Sequence, residues 1–285
     1  MTKRRRGAAG DRMRSPFELP PGTAVAWHPA PTGPIRVVAS GDERDEPVVL
    51  FVHGLGGCAE HWAPLFHRLV REGVRCAAVD LPGHGQSEWG DDASLDSLSG
   101  AVAAAADALD LRSFVLVAHS LGASAALDYA GKHPRRVAGL LLLDPNGDLT
   151  HIPKSDRESL DRALQDDAHA ELEGHFRQFL GPSRDEVAQR VLADLRRTPQ
   201  AVLRHTYFAG LDDSPLAGLD RYRRAGGRVA SVVTPWNDLP YSLHRLRPEL
   251  PTRLAEGTGH WLMLDDPEGV AEMLTEFTAQ VGAVN

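Results

Sequence analysis

Cysteine is almost absent: Cys58 and Cys76 are the only two in 285 residues, and no CxxC spacing joins them. That excludes a disulfide framework and a cysteine-rich zinc site, and fits reduced thiols inside a cell. Positive charge is also short. Lys and Arg total 31 against 39 Asp and Glu, a net charge of −8, so nucleic acid is not an expected partner. No apolar run reaches the roughly 18 residues of a membrane span. Neither GxGxxG nor a phosphate-loop pattern occurs, and no histidine pair with a carboxylate has metal-ligand spacing. Neither a cofactor nor a metal is therefore expected. A cytoplasmic enzyme is the default expectation; the number of subunits is open.

The one basic cluster, Lys3 to Arg6, is followed by Gly7-Ala8-Ala9-Gly10-Asp11-Arg12, not by the apolar stretch of an export signal. Residues 1–22 read as a disordered basic tail. Two short strands follow, at 23–28 and 35–39, and then the pattern changes. Val48 to Val52 is apolar throughout, as is Val137 to Leu143, which marks strands buried on both faces. Cys76 to Val79 and Phe114 to Val117 are further strands, with helices expected at 60–71, 94–109 and after Ser120. This alternation predicts a mostly parallel central sheet with helices on both faces. From Pro145 to Arg224 the rhythm stops, and the chain is charged, helical in pattern and interrupted by prolines. It resumes at Val229 to Val233, Thr252 to Ala255 and a last helix from Pro267. The expected organisation is a core of 23–144 and 225–285, with 145–224 as a helical cap.

Ala118-His119-Ser120-Leu121-Gly122 stands between a buried strand and a helix. A serine hydroxyl attacks only when it is exposed, near a base, and near donors for the oxyanion. A sharp strand-to-helix turn exposes it, and small residues two places before and after allow that turn. Serine also caps helices well, so this segment alone leaves both readings open. His53-Gly54-Leu55-Gly56-Gly57 ends an earlier strand, where the Leu55 N–H joins that of Leu121 as an oxyanion donor. Asp80-Leu81-Pro82-Gly83-His84-Gly85-Gln86-Ser87 ends the next. Both are glycine turns on their own.

Together, over about Val48 to Phe277, these segments resemble the α/β-hydrolase fold family, in its serine-nucleophile, esterase-like branch. The resemblance implies an acyl-Ser120 intermediate and the chain order serine, acid, histidine. Relatives that use a carboxylate nucleophile, the haloalkane dehalogenases and epoxide hydrolases, do not fit Ser120. His260, between Gly259 and Trp261 after the last strand, stands where the family presents its base. His119 points away from Ser120 and reads as packing; His84 reads as a loop residue near the site. Two residues compete for the acid. Asp238 follows the strand 229–233, the commoner position and the first choice. Asp144 follows the strand 137–143, an alternative some members use. Trp62 and Trp261 are candidates to line the acyl pocket, with Phe176, Phe179, Tyr207 and Phe208 behind them. The expected substrate is a carboxylic ester, then a thioester or lactone. Alternatives are C–C bond hydrolysis, perhydrolysis or acyl transfer at the same triad, and a non-catalytic ligand-binding protein on the same fold.

Overall fold

A strand with no polar residue, Val48-Val49-Leu50-Phe51-Val52, must be covered on both faces. In the computed structural model, which describes residues 17–42, 48–92, 94–209 and 214–282, it forms β3 (Val48–Val52) inside an eight-stranded sheet. The other strands are β1 (Ala24–His28), β2 (Ile35–Ser40), β4 (Arg75–Val79), β5 (Phe114–His119), β6 (Val137–Leu143), β7 (Val229–Val233) and β8 (Thr252–Leu254). Their order across the sheet is β1-β2-β4-β3-β5-β6-β7-β8. β1 with β2 and β2 with β4 are antiparallel; every other pair is parallel. This is the mostly parallel sheet the alternation predicts.

The pleat sorts side chains onto two faces. Val49, Phe51, Val115, Val117, Leu141 and Leu143 pack with Leu65 and Phe66 of α1 (Ala63–Leu69) and Leu274 and Phe277 of α8 (Pro267–Gly282). Leu50, Val52, Leu116, Ala118, Leu140 and Leu142 pack with α2 (Leu95–Ala108) and α3 (Leu121–Lys132) on the other side. Each such buried aliphatic side chain contributes about 1.5–3 kcal/mol before conformational entropy is subtracted. The carboxyl ends of β3, β5, β6 and β7 consequently meet along one edge, where open α/β sheets bind ligands.

Between β6 and β7 lie α4 (Lys154–Leu180), α5 (Asp185–Arg197), α6 (Gln200–Tyr207) and α7 (Pro215–Arg224). α4 is broken at Asp167, whose φ of −156° and ψ of 91° are not helical. Leu172 and Leu180 of α4, Val187 and Leu195 of α5 and Leu203 of α6 extend the core layer that contains α1 and α8. α7 differs. A Cβ at Gly218 would lie 2.4 Å from the Leu127 carbonyl oxygen and one at Gly131 would lie 2.8 Å from Gly218, so the backbones of α7 and α3 touch. Leu219 and Tyr222 are buried on the α3 side, and the Tyr222 hydroxyl donates to the Val137 carbonyl at 2.8 Å. α7 is thus the core helix that leads into β7, and the inserted helices stop short of the expected boundary at 224.

The end of the expected tail, residues 17–22, lies among the described residues. Residues 1–16 lie outside the described residues, but Phe17 and Leu19 pack on the core, and Arg190 sits 5.6 Å above the Phe17 ring. Among the described residues no helix is long and apolar enough to cross a membrane.

Candidate active site

β5 runs straight into α3, and the residue at the junction takes the strain. Ser120 has φ 50° and ψ −123°, a region that costs a non-glycine residue about 1–3 kcal/mol. Its N–H donates to the Leu143 carbonyl at 3.1 Å, which fixes the turn to the neighbouring strand. Glycines make room on either side. A Cβ at Gly122 would lie 2.4 Å from the His53 carbonyl oxygen, and one at Gly54 would lie 2.9 Å from the Ser120 Cβ. Ser120 is half-buried and lines a cavity of about 120 Å³ together with Leu55, Leu121 and His260. Among the described residues nothing accepts from the N–H of Leu55 or of Leu121. Both are available to a developing oxyanion, and the Leu121 N–H carries the partial positive charge of a helix start.

His260 is 8% exposed, and its backbone N–H donates to the Phe179 carbonyl at 2.9 Å. Its Nδ1 lies 2.6 Å from Oδ2 of Asp144, not of Asp238. This corrects the first choice made from the sequence. Asp144 is fully buried, with a left-handed φ of 43° that turns its side chain inward at the end of β6. Its Oδ1 accepts from the Thr234 N–H at 2.8 Å, and its Oδ2 from the Thr234 hydroxyl at 2.6 Å. A carboxylate with these partners can only accept, so Nδ1 of His260 carries the proton and Nε2 presents its lone pair. Asp238 points the other way. It accepts from Arg245 Nε at 2.6 Å and from His244 Nε2 at 2.8 Å, and the Arg245 and His244 hydrogen bonds hold its carboxyl down to about 2. Ser120 Oγ and His260 Nε2 line one cavity without a hydrogen bond between them, a contact that in such sites tightens with substrate.

Of the two tryptophans, Trp261 lines the cavity and packs 4.9 Å from Phe176. Trp62 does not. It is fully buried with its ring 4.9 Å from Phe51, so it supports the core and, against expectation, lies outside the cavity wall. Phe179 and Tyr207 line the cavity; Phe208 lines a separate surface groove. The sequence reading missed Asn146, Asn237 and Tyr241, which also face the cavity. Asn237 donates to the carbonyls of Asp144 and Pro145, and Asn146 accepts from Ser124, which leaves its NH₂ for a ligand.

Three histidines around this edge are buried and kept neutral. Burial lowers His53 to about 4 and His84 to about 3, and takes His119 well below the ordinary value. His53 accepts the Leu81 N–H at Nε2 and donates from Nδ1 to Gly54, bracing the turn that carries Leu55. His84 contacts the His53 ring at 5.3 Å behind the cavity. His119 does not reach Ser120, but it does more than pack: its Nε2 donates to the His260 carbonyl at 2.9 Å.

Behind the Leu55 turn, Cys58, His61 and Asp194 bring three potential ligand atoms within 4.8 Å of one another. The guanidinium of Arg190 bonds both Asp194 and Cys58, and Arg197 reaches Asp194 as well, so an internal cation already serves this group. Burial raises the Asp194 carboxyl, but His61 and Arg190 outweigh it and hold the group at about 2. Burial pushes the Cys58 thiol well up. The cluster ties α5 to the turn that carries Leu55. Asp194→Ala strands Arg190 and His61, and an expected loss of about 3 kcal/mol follows in urea unfolding. Asp110→Asn, in a fully solvated pair, should cost under about 0.5 kcal/mol. Equal costs would show that Asp194 is not a clamp. The sign of the pH effect is fixed: a depressed carboxyl contributes above its ordinary value near 4, and that contribution is lost as pH falls toward 2.

The chain is similar to known proteins. The chain is 38% identical to the dihydrolipoyllysine-residue acetyltransferase component of the acetoin cleaving system of Pseudomonas putida, over 49% of this chain and 39% of that one. The chain therefore spans about two fifths of the length of that relative, and likewise of lipase LipV of Mycobacterium tuberculosis. It is 27% identical to the mouse sn-1-specific diacylglycerol lipase ABHD11, over 82% of this chain and 81% of that one. An esterase from Exiguobacterium antarcticum superposes with a TM-score of 0.75 at 20% identity, covering 88% of this chain and 98% of its own, which shows the fold. The model of the alpha/beta hydrolase family matches residues 49–273, and the chain belongs to that family.

Proposed function

We propose that this chain is a serine hydrolase that cleaves a carboxylic ester of a small molecule through an acyl-Ser120 intermediate. The observation that carries the reading is the 2.6 Å pairing of His260 Nδ1 with buried Asp144, beside a serine on a strained turn in the same cavity. His260 Nε2 takes the Ser120 proton as Oγ attacks the carbonyl carbon. The tetrahedral oxyanion rests on the Leu55 and Leu121 N–H groups. Collapse expels the alcohol, which receives the proton from His260. Water then attacks the acyl-Ser120 ester, loses its proton to His260, and frees the acid and the serine. Asp144 stabilises the imidazolium at each stage without taking its proton.

The inserted helices act as a cap. Leu172, Phe176 and Phe179 of α4 and Tyr207 of α6 cover the cavity, and Leu149, Leu239 and Trp261 close its sides. About 120 Å³ of mostly apolar space suits a short acyl group. Aryl acetate and butyrate should be cleaved at least about tenfold faster, in kcat/KM, than the dodecanoate. No rate jump is expected when a long-chain triglyceride passes its solubility limit. Equal rates along the acyl series, or such a jump, would overturn the small-pocket reading; no hydrolysis of any ester would overturn the activity.

A further inference from the structure

His260 has four polar atoms, and three are occupied. Its N–H is on Phe179, its Nδ1 on Asp144, and its carbonyl takes a hydrogen bond from the side chain of His119 at 2.9 Å. Only Nε2 is left for chemistry. We propose that His119 is a positioning residue for the reaction proposed above, holding the backbone of the base through the Nε2–H to His260 carbonyl bond.

The geometry leaves the ring one working state. A carbonyl can only accept, so the proton must sit on Nε2 of His119, and Nδ1 must be a bare lone pair. That Nδ1 is buried without a partner among the described residues and faces the oxyanion turn. A Cβ at Gly54 would lie 2.9 Å from it, so residue 54 must be glycine while His119 holds this position. One ring thus spans the gap between the loop of the base and the loop of the oxyanion donor. The 1% exposure and the lowered proton affinity that burial causes keep it uncharged. That matters because the His119 and His260 rings are 4.6 Å apart, and His260 must become a cation during turnover. A second cation there would oppose the proton transfer.

A packing role and a positioning role separate experimentally. His119→Phe keeps the ring and removes the donor; His119→Gln places an amide N–H near the lost Nε2–H. In the phenylalanine variant, kcat for an aryl acetate should fall about 30-fold with KM within about twofold, and the rate of fluorophosphonate labelling should fall equally. The glutamine variant should recover most of both. Imidazole ¹⁵N spectra of the parent should show His119 in the neutral Nε2–H form throughout the titration of His260. The phenylalanine variant should broaden the Nδ1 proton of His260. Parent-like kcat and an unbroadened proton in that variant, or an Nδ1–H tautomer of His119 in the parent, would overturn the proposal. If the parent neither cleaves esters nor takes the label, the hydrolase reading falls, and the spectra still decide whether His119 holds His260.

Discussion

Asp144→Asn is expected to lower turnover of an aryl ester about ten-thousand-fold, while Asp238→Asn leaves it within about twofold. The difference lies in what each carboxylate touches. An asparagine at 144 still accepts from the Thr234 N–H through its oxygen, which puts its NH₂ where Oδ2 meets the Thr234 hydroxyl and His260 Nδ1. The hydroxyl can rotate to accept. The imidazole can only respond by moving its proton to Nε2, and an imidazole protonated there is no base toward Ser120. The site keeps its shape and loses its tautomer. Asp238 is one-third exposed and bonded to Arg245 and His244, so its amide removes only a solvated ion pair. Initial rates together with far-ultraviolet dichroism check both variants. The reverse ranking would move the acid to Asp238.

Ser120→Ala should abolish fluorophosphonate labelling and reduce turnover by about a million-fold, to what binding and the oxyanion donors supply without a nucleophile. The substitution also tests the strain at the turn. Ser120 and alanine pay similarly for φ 50°, so Ser120→Ala should unfold within about 1 kcal/mol of the parent. Ser120→Gly, equally inactive, should be more stable than the alanine variant by about 1 kcal/mol, because glycine enters that region freely. A labelled alanine variant would place the nucleophile elsewhere. A glycine variant no more stable than the alanine one would show that the turn stores no strain.

Some of this was readable without coordinates. Strands such as Val48–Val52 and Val137–Leu143 announce burial on both faces by having no polar residue, and a sheet follows. Ser120 and His260 sit in short segments whose local turns define their exposure. The acid is different in kind. Asp144 and Asp238 both follow strands on the same edge, and only the aim of the side chain separates them. That aim is set by Thr234, 90 residues beyond Asp144 in the chain. No local pattern carries it, although a threonine at the carboxyl end of β7 beside the Asp144 strand is the trace that points to it. Trp62 misled for the related reason that its spacing from His53 says nothing of direction, and Phe51 draws it into the core. The boundary after α6 was hidden because α7 is as charged as the insertion. Only Gly218 and Gly131, small residues on helices far apart in sequence, mark it as a core helix.

The hydrogen bond from His260 to Phe179 makes the inserted helices and the His260 loop one interlock. Gly259 is pressed so close to the last turn of α4 that a Cβ there would lie 2.1 Å from the Leu180 carbonyl oxygen. Ser183 and the Gly259 N–H share one carboxylate oxygen of Asp265. Residues 179 to 183 therefore cannot rise away from the sheet without dragging the imidazole off its carboxylate. A molecule that had to lift the whole insertion to enter would find a disarmed enzyme beneath it. An entering molecule must instead find a way that leaves residues 179 to 183 in place.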